Sequence, residues 1–170
     1  MSELFKIRLL EENKTDQIIK RIAFQIFENN YEEEEIILAG VKGQGFIFAE
    51  DLAKNINEIS SLNIILAKLS FDKDAKIQPD ILIESKVNTF KNKVVILVDD
   101  VLNTGRTLAY CFHPFLSIPL KKLQVAVLVD RNHPKFPILA DYVGYSLSTT
   151  ISEHVEVDLT NEKEKGVFLY

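Results

Sequence analysis

The chain has 170 residues and a net charge of −5, with 46% of its residues hydrophobic and 26% charged, a balance that fits one globular domain over residues 1–170. A single Cys excludes a disulfide framework and a Cys-based zinc cluster, and the acidic balance weighs against affinity gained by displacing counterions from phosphates. No run reaches the roughly 20 apolar residues of a membrane helix, and Met1 to Lys6 lack a signal-peptide core, so a cytoplasmic chain with no membrane partner is expected.

Ile18, Ile22 and Ile26, flanked by Ile19, Ala23 and Phe27, put one wide apolar face on a first helix, with Thr15 or Asp16 as its cap. The run Glu32 to Glu35 reads as a solvated turn before a strand. Ile36 to Val41 is too short for a helix and apolar throughout, as in a strand buried on both faces. After the Gly43-Gln44-Gly45 turn, Phe46, Ala49, Ala53 and Ile56 mark a second helix. Strands are expected at Leu62 to Leu69, Ile81 to Glu84, Val94 to Asp99 and Leu123 to Val129, with shorter ones at Asp141 to Tyr145 and Glu153 to Asp158. A third helix should run from Leu108 to Phe115, limited by Pro114 and Pro119. Strands alternating with helices indicate an α/β fold on a mainly parallel sheet, in which ligands bind at the carboxyl ends of the strands.

Chemistry concentrates where the Val94 strand stops, at Asp99-Asp100-Val101-Leu102-Asn103-Thr104-Gly105-Arg106-Thr107. Loop amides and a helix N-terminus suit a phosphate, and Gly105 lets backbone approach it. Thr104 and Thr107 add hydroxyls, and Arg106 adds charge. Asp99 and Asp100 would repel a phosphate, but they suit sugar hydroxyls or a hydrated Mg²⁺. Together these residues describe a site for a phosphorylated ribose. Two rival nucleotide motifs fail. Gly40 and Gly45 have P-loop spacing, but Phe46-Ile47 stand where Lys and Ser/Thr are needed. Gly43-Gln44-Gly45 lacks the third Gly of a dinucleotide fingerprint.

Val94 to Thr107 resembles the motif by which type I phosphoribosyltransferases bind 5-phosphoribosyl 1-pyrophosphate (PRPP). The resemblance implies that Asp99 and Asp100 hold the ribose hydroxyls, directly or with Mg²⁺ bound through PRPP or water, that Asn103 to Thr107 hold the 5′-phosphate, and that Val101 and Leu102 belong to the same PRPP-binding run. Leu128 to Pro134, Pro137-Ile138 and Ala140 to Gly144 are similar to the branch of pyrimidine-operon regulators that double as uracil phosphoribosyltransferases. Gly40 to Gly45 stand where that family has its pyrophosphate loop, with Val41, Lys42 and Gly43 as its contact residues and often with a non-proline cis peptide. Such a fold has a central mainly parallel sheet, helices on both faces and a small hood built near the termini and after Leu123.

The same resemblance places nucleobase recognition near Asp130, Arg131, Tyr142 and Val143. Purine-specific relatives carry a Lys at the position of Asp130. An acid there would repel a purine 6-oxo group but accept the N3–H of uracil. They also carry an Asp, a proposed general base, at the position of Asn103, which cannot take a proton. In the mobile closing loop the regulators have Arg. This chain has Phe71 to Lys76, where Lys73 or Lys76 would substitute as a point charge.

The expected function is therefore Mg²⁺-dependent transfer of phosphoribose from PRPP to a base, uracil first, by a homodimer or larger homo-oligomer. The alternative is a regulator that senses PRPP or UMP and binds RNA. Its cationic face would have to come from Lys121-Lys122 and Arg131 with Lys135. His113, His133 and His154 have no metal-ligand spacing and read as surface or capping residues, and Cys111 reads as buried packing.

Overall fold

The computed structural model describes residues 6–72, 74, 75, 77, 80–87 and 89–170. In chain order these form β1 (Ile7–Leu10), α1 (Glu12–Asn29), β2 (Glu35–Val41), α2 (Gln44–Ile59), β3 (Asn63–Ser70), β4 (Leu82–Ser85), β5 (Val94–Leu102), α3 (Arg106–Leu116), β6 (Lys122–Asp130), β7 (Tyr142–Ser146), β8 (Val155–Asp158) and β9 (Gly166–Leu169).

Six strands form the central sheet, in the order β4-β3-β2-β5-β6-β7. Every pairing is parallel except β4 on β3. The uninterrupted apolar strands bury both faces, as a parallel sheet requires. In β2, Ile36 and Leu38 face α1 and α2, while Ile37, Ala39 and Val41 enter the core beneath α3. Ile22 and Ile26 of α1 are fully buried, each worth about 1.5–3 kcal/mol.

Two helix ends differ from expectation. Helix α1 starts earlier, with Glu11 at its N-cap position. Thr15 lies inside the first turn, where its hydroxyl donates to the Glu11 carbonyl at 2.9 Å, so it satisfies itself rather than capping. Helix α3 passes through Pro114 to Leu116. So close to the helix end, the missing proline N–H costs only one bond.

The ends of the described chain meet in a second sheet, ordered β1-β9-β8 and antiparallel throughout. This is the hood. Its residues Val155, Val157 and Val167 join the core on the α1 and α2 side. The Lys165 ammonium fastens it to the body, 2.8 Å from Asp16 on α1 and 2.9 Å from Asp51 on α2. Burial pulls the pKa of Lys165 down, but hydrogen bonds and charge from the two acids outweigh that and raise it above the ordinary 10.5. A group raised in the folded state stabilises fully below its unfolded pKa and loses that contribution as pH climbs through the raised value. Lys165→Met should lower stability by about 1–3 kcal/mol. Thermal melting reads the loss, and the gap from wild type should narrow in strongly alkaline buffer.

Candidate functional site

The crossovers decide where a ligand fits. Helix α2 leads from β2 to β3 on one face, and α3 leads from β5 to β6 on the other. Between β2 and β5 the chain therefore diverges in both directions, leaving a crevice at the carboxyl ends of these two neighbours. The loops that open there are Lys42-Gly43 and Asn103 to Gly105.

On the β5 side, Asp99 is 6% exposed. Its Oδ1 accepts the Asp100 N–H at 3.0 Å, and the Asp100 side chain is half-buried at the rim. A concavity of about 120 Å³ is lined by Asp99, Val101 and the run Leu102 to Leu108. Gly105 has φ +83, open only to glycine at low cost, and an added Cβ would come 3.2 Å from Ile138. The loop is braced from below, since Lys135 and Phe136 both donate backbone N–H groups to the Thr104 carbonyl, at 2.9 and 3.0 Å. Thr104 Oγ1 accepts the Arg106 N–H at 3.3 Å. The N–H groups of Gly105, Thr107 and Leu108 have no protein acceptor among the described residues, leaving donors at the start of α3 for an anion. Leu102 is buried in the core beneath α3. Arg106 folds along its own helix, where its Nε donates to the Tyr110 hydroxyl at 3.0 Å.

On the β2 side, Gly43 adopts φ +100 and precedes α2. The Lys42 N–H donates to Leu69 O at 2.8 Å, while its side chain is exposed. Every peptide bond among the described residues is trans, including Lys42–Gly43. Gly45 was not singled out as a contact residue, yet it joins the two sides. A Cβ there would lie 2.8 Å from Asp99 Oδ1 and 3.1 Å from Asp99 Cα. The first turn of α2 thus rests directly against the buried carboxylate.

The expected base-binding residues divide. Asp130 closes β6 in register with Leu102 of β5, on the same rim, and its Oδ1 accepts the Asn132 N–H at 2.8 Å. Tyr142 and Val143 do not join it. They sit at the start of β7, in register with Ala126 and Val127. That is four residues short of Asp130, or about 13 Å along a strand. The Tyr142 ring is 1% exposed, so it offers no face for stacking. Its hydroxyl donates to Gln124 at 3.0 Å, and burial pushes its pKa up. The Val143 carbonyl accepts the Arg21 guanidinium. Arg131 is buried and turned inward, bonded to Asn103, Thr149 and the carbonyl of Glu153. Through Arg131 the segment Thr149 to Glu153 is tied to Asn103, a link that no sequence signal announced. Lys73 lies outside the described residues, as does Lys76. Among the described residues no group of three or more His, Cys, Asp or Glu could hold a metal. Cys111 is fully buried beneath the sheet.

Similarity to known proteins agrees with this geometry. Residues 8–162 match the phosphoribosyl transferase domain. The chain is 35% identical to the bifunctional protein PyrR of Clostridium acetobutylicum, with 97% of each chain covered, and 34% identical to that of Bacillus cereus, again with 97% of each covered. Among solved structures, the hypoxanthine phosphoribosyltransferase of Trypanosoma cruzi shares the fold, with a TM-score of 0.78 at 19% identity over 95% of this chain and 94% of that one. A hypoxanthine-guanine phosphoribosyltransferase of Bacillus anthracis aligns with a TM-score of 0.68 at 26% identity, over 87% and 84%. On the matched domain, the fold and the relatives that span nearly its whole length, this chain belongs to the type I phosphoribosyltransferase family.

Proposed function

We propose that the protein transfers the phosphoribosyl group of PRPP to a nucleobase, uracil first, and releases pyrophosphate. One observation carries the reading: a carboxylate pair and an amide-lined anion loop share the end of β5, and Gly45, just after the Lys42-Gly43 turn, sets the first turn of α2 against Asp99. Asp99 and Asp100 accept hydrogen bonds from the ribose hydroxyls. The amides and hydroxyls of Asn103 to Thr107 hold the 5′-phosphate. Lys42 and the Gly43 turn face the pyrophosphate, where positive charge favours its departure from C1′ as the sugar becomes oxocarbenium-like.

Two adjacent carboxylates with no third protein ligand among the described residues fit Mg²⁺ held through PRPP oxygens and water. Mg²⁺ bound there would supply charge to the leaving pyrophosphate. Asp130, at the rim, has Oδ2 without a partner among the described residues, which supports acceptance of an N3–H from uracil. With Tyr142 buried, the base lies between Asp130 and the segment Thr149 to Glu153.

The name "bifunctional" carried by the PyrR relatives favours a second reading, a PRPP- or UMP-responsive regulator that binds RNA. The expected basic residues support it poorly. Lys121 pairs with Glu33 at 2.6 Å, Lys122 donates to the Asn29 carbonyl and the Asn30 amide at the end of α1, and Arg131 is buried. Incubation with PRPP, Mg²⁺ and a panel of bases tests the transfer reading through formation of nucleotide and pyrophosphate. Binding of PRPP without turnover, together with salt-dependent affinity for structured RNA, would favour the regulator.

A further inference from the structure

The Arg131 guanidinium spans two segments that the sequence keeps apart. Nη1 donates to Asn103 Oδ1 at 3.1 Å, at the mouth of the anion loop. Nε and Nη2 share Thr149 Oγ1 at 3.1 and 2.9 Å, and Nη2 reaches the carbonyls of Glu153 at 2.7 Å and Thr150 at 3.5 Å. The Arg131 backbone N–H donates to the Leu102 carbonyl at 3.0 Å, so the residue is fixed from both ends. The side chain is 6% exposed, yet no carboxylate pairs with it among the described residues. The Glu153 carboxylate turns instead to the Thr150 N–H. The guanidinium is thus hydrogen-bonded by neutral oxygens beside the anion loop, and among carboxylates Glu153 feels its charge without bonding it.

The chemistry of the bond fixes Asn103 as well. Arginine can only donate, so the amide must present its oxygen to Arg131 and its NH₂ to the other side. An Asp at 103 would form an ion pair with the same guanidinium, which would hold its carboxylate ionised and weakly basic. Asn is the neutral partner that leaves the charge unspent.

We infer that Arg131 is a positioning residue, whose fork locks Asn103 of the anion loop to the hood-side segment Thr149 to Glu153, so that PRPP and base sites are set in one geometry. This rests on the transfer reading. Because two segments are held at once, a point charge on a flexible stem cannot replace the planar fork. Arg131→Lys should raise the Kd of PRPP·Mg²⁺ about tenfold, the size expected for losing charged hydrogen bonds. In an Asn103→Ala background the same change should add less than about twofold, because the partner through which Arg131 acts is gone.

A purely structural arginine would lower the melting temperature in both backgrounds and leave the PRPP Kd of the folded protein unmoved, which would overturn the inference. Should Arg131→Lys not fold, Thr149→Val removes the shared acceptor at a half-buried site. Faster amide exchange at 103–107 and about threefold weaker PRPP binding would support the link, and no change in either would overturn it. Wild-type protein with no affinity for PRPP would overturn the transfer reading itself, and this inference with it.

Discussion

Asp99→Asn combined with Asp100→Asn should abolish PRPP binding while the fold survives. Asn has nearly the shape of Asp, and its Oδ1 can still accept the Asp100-position N–H that now stands 3.0 Å from Asp99 Oδ1. The 6% exposed side chain therefore keeps its packing and its local hydrogen bond. What disappears is the charge that makes bonds from ribose hydroxyls strong. A hydrogen bond to a charged group is worth about 1.5–3 kcal/mol, so losing two weakens binding by roughly 10²- to 10⁴-fold. Titration calorimetry with PRPP and Mg²⁺ measures the affinity, and circular dichroism checks the fold. Unchanged affinity would refute the ribose assignment for both acids.

Gly45→Ala should damage the site although it improves the helix. Residue 45 is second in α2, where Ala is favoured over Gly by about 1 kcal/mol. The new methyl would lie 2.8 Å from Asp99 Oδ1, 3.1 Å from Asp99 Cα and 3.1 Å from the Val98 carbonyl oxygen. Two of those atoms belong to the backbone of a central strand and cannot yield, so α2 must shift and the carboxylate must turn. Overpacking of this kind costs about 1–3 kcal/mol, more than the helix gains. We expect PRPP affinity to fall about tenfold or more, since the site depends on placement at the scale of an ångström. Wild-type affinity in Gly45→Ala would mean that contact between α2 and Asp99 does not shape the site.

What the sequence revealed depended on how local each signal was. The strand, loop and helix start over Asp99 to Thr107 were legible because acids, glycine and helix start follow one another without a break. The central sheet was legible because Ile36 to Val41 and Val94 to Val98 are apolar on both faces. Tyr142 was misplaced for the opposite reason. A strand at Asp141 to Tyr145 was foreseen, but only register with Ala126 shows that this tyrosine enters at the far end of the sheet. Arg131 looked like a rim residue beside Asp130, since its partners lie 18 to 28 residues away in sequence. Strands β1 and β9 escaped notice because four residues carry little periodicity, and their pairing joins Ile7 to Leu169. Gly45 was read as part of a Gly-rich turn and not as a contact to Asp99, because its value lies in what it lets touch.

The pairing of β1 with β9 sets an order of events during synthesis. It closes almost the longest loop this chain can make, and the entropy of closure rises with loop length. A chain emerging from the ribosome carries both anion loops well before β8 and β9 exist. Until those last strands arrive, the apolar flank of α1 and α2 that Val155, Val157 and Val167 later cover stays wet. Pairing of β8 with β9 ends that exposure, so the hood shields an apolar surface next to the candidate site.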